Sequence, residues 1–173
     1  NRLENVTGRK IKSIQADQGG EFKNNQFKEL FTQSGIQFMT SIADTAAQNG
    51  VAERGMRLVG EGVRTLLADS KLPQSFWGYA AAHVVYIWNR LISAKHGKTP
   101  HEMFMGKKPN TSLLRTFGST AYLHIHDKFR KKLDAKSVKT IYIGQADSDG
   151  MKGYKLYNPE SKRIIFGGAR DVI

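Results

Sequence analysis

The stretch Ile11–Phe22, IKSIQADQGGEF, decides how the first half of the chain is read. Ile11, Ser13 and Gln15 alternate with Lys12 and Ile14 as far as Ala16, the two-residue period of a β-strand. Asp17 follows, directly before Gln18-Gly19-Gly20. A carboxylate at a strand end, beside glycines that let other groups come close, is placed to hold a metal ion. The same residues also suit a plain turn, because Asp bonds its own backbone and Gly accepts any backbone conformation. Both readings of Asp17 stand at this point.

Outward from that turn, Asn24 or Asn25 is a cap for a short helix with Phe27, Leu30 and Phe31 as its apolar stripe and Gly35 as its stop. Ile36, Phe38 and Thr40 then alternate with Gln37 and Met39, which predicts a second strand and a strand-helix-strand order. After the polar loop IADTAAQNG, a long helix is expected from near Gln48 to Asp69, with Ala52, Met56, Val59, Val63, Leu66 and Leu67 on its apolar face. Another helix is expected after Leu72-Pro73, through SFWGYAAAHVVYIWNRLI, because Pro is tolerated in a first turn. It is apolar on most sides, so Trp77, Tyr79, Tyr86 and Trp88 are expected in a core. The alternative is an aromatic exposure for base stacking.

Beyond KTPHEMFMGKKPN the pattern changes to short β-type runs, Phe117–His126, Thr140–Gly144, Tyr154–Asn158 and Arg163–Phe166, parted by turns such as DSDG and NPES. These predict a small barrel or sandwich. The boundary is expected between Lys107 and Thr111, giving residues 1–108 and 109–173 as two domains.

Charge limits the partner. The 173 residues carry a formal net charge of +12, which points to a polyanion and most simply to nucleic acid. Residues 107–173 hold 14 Lys and Arg against 6 Asp and Glu, a larger excess than the 13 against 9 of residues 1–106. Lys128, Arg130, Lys131 and Lys132 form a run that is either a solvated patch or a phosphate-contacting edge. There is no Cys, so a metal would be held by oxygen or imidazole. No run nears the roughly 20 apolar residues of a membrane span, and Asn1-Arg2-Leu3-Glu4 lacks a signal pattern. The expectation is an intracellular protein with neither membrane nor small-molecule substrate.

Glu53 supplies a second carboxylate at the start of the long helix. On that helix Glu53, Arg57, Gly60, Glu61 and Arg64 share a face by the i+3 and i+4 rule. Arg54, Arg57 and Arg64 are placed to receive a phosphate backbone. Glu53 is also explained by favourable interaction with the helix dipole, with no chemistry implied. His124 and His126 alternate on a predicted strand and share a face; no third ligand stands near them in sequence, so a structural role is expected. A glycoside hydrolase built on the same two acids would leave the basic charge without a role.

QADQGGEF and SIADTAAQNGVAERGMRLV, with 35 residues between Asp17 and Glu53, resemble the second Asp and the Glu of the D,D-35-E triad of retroviral-type integrases. LLADSKLPQSFWGYAAAHVVYIWNRLIS, KTPHEMFMGKKPNTSLLRTFGSTAYLHI and KFRKKLDAKSVKTIYIGQADSDGMKGYKLYNPESKRIIFGGARDVI are similar to copia-type retrotransposon integrases, part of a Pol polyprotein. The resemblance implies an α/β fold: a partial ribonuclease H-like catalytic core followed by a small all-β SH3-like barrel. It implies DNA integration by phosphoryl transfer, with three carboxylates holding two Mg²⁺ or Mn²⁺ ions. Asp17 and Glu53 would be two of the three. Gln48, Asn49 and Gly50 would belong to a DNA-contacting loop, and Arg54 would touch the backbone. Family integrases act as multimers on two DNA ends, in the nucleus when host DNA is the target.

The chain also departs from that family. Residues 1–16 contain no Asp to match the first of the triad, and the His and Cys zinc module has no counterpart. Ala46 and Ala47 stand where Pro and a polar residue are usual, and Gly55 and Met56 where Lys-Asn is common. The 173 residues alone are therefore expected to show little strand transfer. The alternative is a non-catalytic nucleic-acid-binding module, a decayed or domesticated integrase.

Overall fold

The structure, a computed structural model, describes residues 2–16, 25–40, 50–147 and 151–173. Two compact units divide the chain, residues 1–58 and 59–173. The boundary expected at Lys107–Thr111 falls inside the second unit.

The first unit opens with a short helix that the sequence reading did not anticipate, α1 (Arg2–Thr7). The Thr7 hydroxyl donates to the Leu3 carbonyl at 2.8 Å, and Glu4 Oε1 accepts from the Ile11 N–H at 2.9 Å, tying the helix to the following chain. β1 (Ser13–Ala16) and β2 (Gln37–Thr40) pair in parallel, Ser13 opposite Gln37 and Ala16 opposite Thr40. A parallel pair needs a crossover, and α2 (Asn25–Gln33) supplies it. α2 ends as its sequence predicts: Gly35 takes φ +65°, and the Ile36 N–H donates to the Phe31 carbonyl at 2.8 Å, closing the helix over its last carbonyls. Phe31 is buried, tilted against Phe27 at 5.8 Å and stacked on Phe38 at 5.1 Å. Ile36 and Phe38 point inward while Gln37 and Met39 stay exposed, and on β1 the inward residues are Ile14 and Ala16.

α3 (Gly50–Ser70) is the 21-residue helix expected from the apolar spacing. Its stripe is only partly used. Val59, Val63, Leu66 and Leu67 are half-buried, whereas Ala52 and Met56 are exposed.

In the second unit the chain passes Pro73 into a 3-10 turn, Gln74–Phe76, and then α4 (Trp77–Trp88). α4 presents Ala80, His83 and Val84 inward. The fourth turn of α3 meets α4 at Gly62, where a Cβ would lie 2.8 and 2.9 Å from the two γ carbons of Val84. Only a glycine lets the two helices come that close. α5 (Pro100–Met105) follows, capped by Thr99, whose hydroxyl accepts from the Glu102 N–H at 3.0 Å, and stopped by Gly106 at φ +74°. His101 N–H donates to the Asn89 carbonyl at 2.9 Å and fixes α5 against the end of α4.

Four antiparallel strands follow in sequential order: β3 (Thr120–His124), β4 (Ser137–Gln145), β5 (Tyr154–Asn158) and β6 (Arg163–Gly167). A bulge between Tyr142 and Gly144 bends β4. The chain beyond β6 returns to the free edge of β3: Tyr122 and Ile173 exchange both backbone hydrogen bonds, at 2.8 and 3.1 Å, and Leu123 bridges Val172. That return closes the sheet toward a barrel and leaves no long open edge on β3.

Both faces of the sheet are covered. Phe117 and Ile143 pack with Phe76 and Ala80, and Val63, Leu66, Leu67 and Leu72 complete this cluster from the helices. On the other face Ala121, Tyr142, Tyr154 and Leu156 form a second cluster with Leu113, Leu123, Ile165 and Val172. The aromatic expectation for α4 holds for Tyr79, Tyr86 and Trp88, which are half-buried, and fails for Trp77, which is 65% exposed. Trp77 shares the face of buried Val84, seven residues on, but as the first residue of α4 it stands at the open end of that face and meets water. Among the described residues no helix is long and apolar enough to cross a membrane.

Candidate carboxylate site and nucleic-acid interface

Asp17, Gln48 and Asn49 lie outside the described residues. Ala16, the last residue of β1, and Gly50, the first of α3, bracket their places in the chain. Glu53 stands in the first turn of α3, a position that favours an anion beside the positive end of the helix dipole. It is exposed and makes no ion pair among the described residues. Arg54 and Arg57 are exposed on the same turns, Arg57 being one helical turn beyond Glu53. Arg64, considered with the second unit, is exposed near the end of the same helix.

An unpaired, solvated carboxylate is an apt ligand for a hard divalent cation, which seeks anionic oxygen. Among the described residues no group of three His, Asp or Glu side chains is gathered tightly enough to hold a metal. Glu53 is chemically able to give such an ion one oxygen donor; Asp17, next in chain to β1, lies outside the described residues.

The second feature is the β3–β4 connection of the sheet. Lys128, Lys131 and Lys132 are exposed, and Lys136, which the sequence reading did not single out, is exposed as well. Arg130 differs. Its guanidinium pairs with Asp127, and its side chain keeps only 14% of its surface, so it braces the 3-10 turn Asp127–Phe129. The Lys131 N–H donates to Asp134 Oδ2 at 2.7 Å, and Lys128 Nζ lies 4.8 Å from the Phe129 ring centre. The two acids fold back on backbone and on Arg130, so the lysines keep their charge facing solvent. His124 and His126 approach with ring centres 5.5 Å apart, and His126 Nε2 lies 3.8 Å from Asp171 Oδ1; this is a contact between β3 and the returning chain end.

A polar group is also buried between α4 and the sheet. His83 is 2% exposed, its ring 5.5 Å from Phe117 and 5.6 Å from Tyr142, and its Nδ1 has no hydrogen-bond partner among the described residues. Burial pushes the His83 imidazole down to about 4. Burial likewise raises the Tyr142 phenol, with Tyr86 and Tyr154 adding to the effect. These groups sit in the core contact of helix and sheet and are structural.

Residues 119–173 match the retroviral polymerase SH3-like domain. The chain is 38% identical over 172 residues to the retrovirus-related Pol polyprotein from transposon TNT 1-94 of Nicotiana tabacum, covering 99% of this chain and 13% of the relative. It is 36% identical over 145 residues to that from transposon RE1 of Arabidopsis thaliana, covering 83% of this chain and 10% of the relative. A simian T-cell lymphotropic virus intasome, solved in complex with a PP2A regulatory subunit, is similar in fold at TM-score 0.50 and 15% identity, over 99% of this chain and 60% of that one. The HTLV-2 integrase catalytic core domain in complex with magnesium matches at TM-score 0.45 and 22% identity, over 60% of this chain and 63% of that one.

Parallel β-α-β pairing, a long helix opening on an acid and a four-stranded antiparallel sheet make a mixed α/β chain whose last part resembles an SH3-like domain and which is similar in fold to a chain of that intasome. More particularly, the chain is similar to the C-terminal integrase region of plant retrotransposon Pol polyproteins, of whose length it spans about a tenth.

Proposed function

We propose that this chain serves DNA integration by a copia-type element, as the part of the integrase that holds two catalytic carboxylates and grips DNA. The reading rests above all on one observation: Glu53, exposed and without an ion pair among the described residues, opens a helix that carries Arg54 and Arg57 beside it. In this reading Asp17 and Glu53 hold a divalent Mg²⁺ or Mn²⁺. When bound, the cation activates an attacking oxygen and offsets charge developing at phosphorus. Glu53 holds the ion by its carboxylate, and Arg54, Arg57 and Arg64 take phosphate oxygens and set the register of the DNA. Gln48, Asn49 and Gly50 belong to a loop that contacts DNA beside the acids. Lys128, Lys131 and Lys132 draw the duplex by charge, with Arg130 holding their turn in shape.

A non-catalytic binding module is the second reading. It is favoured by the exposed Lys128, Lys131 and Lys132, which attract a polyanion without any metal, while Asp17 and Glu53 by themselves are two of the three carboxylates of the family. Ligand charge sets affinity for hard cations, so 3′-end processing and strand transfer by the 173 residues alone should be slight. Assembly with further copies on two DNA ends, in the nucleus, completes the proposal.

Salt titration of duplex binding tests it. Each neutralised phosphate contributes about 0.9 to the slope of log affinity against log salt, so Lys128→Ala/Lys131→Ala/Lys132→Ala should flatten the slope by about 2 to 3. Binding of the native chain that ignores salt would sink the DNA reading. Divalent-ion affinity lost in both Asp17→Asn and Glu53→Gln separates the metal site from a pure binder.

A further inference from the structure

A cleft on the second unit brings Arg64, already assigned to phosphate above, together with residues that have had no functional role so far. Arg64, Leu67 and Ala68 of α3, with Leu72, Gln74 and Trp77 beyond it, line a concavity of about 530 Å³. That lies within the roughly 300–1,000 Å³ of small-molecule sites. Half-buried Leu67 and Leu72, with exposed Ala68, supply its apolar lining, and Arg64, Gln74 and Trp77 are exposed around them.

The rim is specific in kind. The Trp77 indole is 65% exposed at the first position of α4. Arg64 is exposed and makes no ion pair among the described residues. The Arg64 guanidinium reaches back toward Gly60, one turn earlier, where a Cβ would meet Nη1 at an ordinary contact distance of 3.9 Å. Gln74 is exposed at the start of the 3-10 turn, and its carboxamide has no bond among the described residues. No carboxylate lines the cleft among these residues.

A flat π face, a primary amide and a guanidinium around an apolar lining match the parts of a nucleotide. The base stacks on an indole, its edge bonds to an amide, and its phosphate takes the cation. Bases within a duplex have both faces occupied, so only a splayed base can use the indole. The net charge of +12 favours a polyanion here over an ordinary protein segment.

We propose that the Arg64–Gln74–Trp77 cleft receives one unstacked base of single-stranded DNA. This rests on the nucleic-acid reading above and adds to it a preference for unpaired strand at the far end of α3 and the start of α4.

The test measures anisotropy of labelled oligothymidine, about 12 nucleotides to cover a typical single-strand site, and of a duplex of equal length at one ionic strength. It uses the full chain and its Trp77→Ala and Gln74→Ala variants, both at exposed positions. Trp77→Ala should weaken single-strand binding by about 5- to 100-fold, the range for one lost base stack, and shift duplex affinity less than 2-fold. Trp77 emission in a Trp88→Phe background should quench saturably with the single strand and not with the duplex. Equal, unchanged affinities for both DNAs in Trp77→Ala would overturn the cleft assignment and leave the duplex reading standing. No binding of either DNA by the native chain would overturn both. A loss of self-association in Trp77→Ala, with DNA binding intact, would make the cleft a protein contact and refute the proposal.

Discussion

Replacing Gly62 by alanine sets two effects of known size against each other. Gly to Ala inside a helix gains about 1 kcal/mol of propensity. At Gly62 the new methyl would sit 2.8 Å from Val84 Cγ2 and 2.9 Å from Cγ1, well inside the roughly 3.5–4.0 Å of favourable carbon contacts. Val84 is 5% exposed, and a valine in a helix is held near one χ1, so it cannot turn both methyls away. α3 must move off α4, loosening the packing of Val63 and Leu66. Overpacking of this kind costs about 1–3 kcal/mol, so the net expectation is a loss of about 1 kcal/mol and a Tm lower by several degrees. Gly78, on α4 with nothing within 4 Å of its Cβ position, is the control. There the same substitution should stabilise. Val84→Ala removes both clashing methyls, so in that background Gly62→Ala should regain its propensity gain. Urea denaturation of the four proteins of this cycle, followed by circular dichroism, reads the coupling. A Gly62→Ala chain as stabilised as Gly78→Ala would refute the close α3–α4 approach.

Gly118→Ala should be harsher, because Gly118 sits at φ +80° and a Cβ would come 2.2 Å from Ser70 Cβ and 3.0 Å from Ser70 Cα. A loss of at least about 2 kcal/mol in urea melts is expected, with no rescue by Ser70→Gly since the Cα remains. His83 makes the second unit acid-sensitive. Its imidazole falls from 6.5 in the unfolded chain to about 4 when folded, so the unfolded state binds more protons between those values. Stability from the neutral ring is full above pH 6.5 and is lost as pH falls toward 4, by about 2 kcal/mol after allowing for residual solvation. His83→Phe should flatten that part of the stability profile.

Local rules carried much of the fold. Phe27, Phe31, Gly35 and Phe38 gave the helix, its stop and the following strand, and all four do what their spacing implies. β4 runs longer than the apolar run Thr140–Gly144, since Ser137–Lys139 pair with Tyr122–His124 through backbone bonds that polar side chains do not announce. α5 left a readable signal, Thr99-Pro100 with Glu102 and then Gly106, but it is too short for an apolar period to appear. The exposure of Trp77 was hidden because α4 is apolar nearly all round, and a stripe with no polar face does not tell where its buried part ends. Arg130 belonged to a basic run in sequence, yet Asp127, three residues earlier, takes its charge. Of the candidate site, Glu53 is legible as a helix-opening acid. Its pairing with Asp17 depends on long-range folding, which spacing alone does not determine.

Paramagnetic broadening by Mn²⁺ in amide NMR spectra tests that pairing most directly. A shared cation should broaden the amides of residues 17 and 53 together, at the same ion concentration, and Glu53→Gln should abolish the effect at both. Broadening at one and not the other, or its persistence at residue 17 in Glu53→Gln, would contradict a common metal and leave a cationic DNA-binding chain.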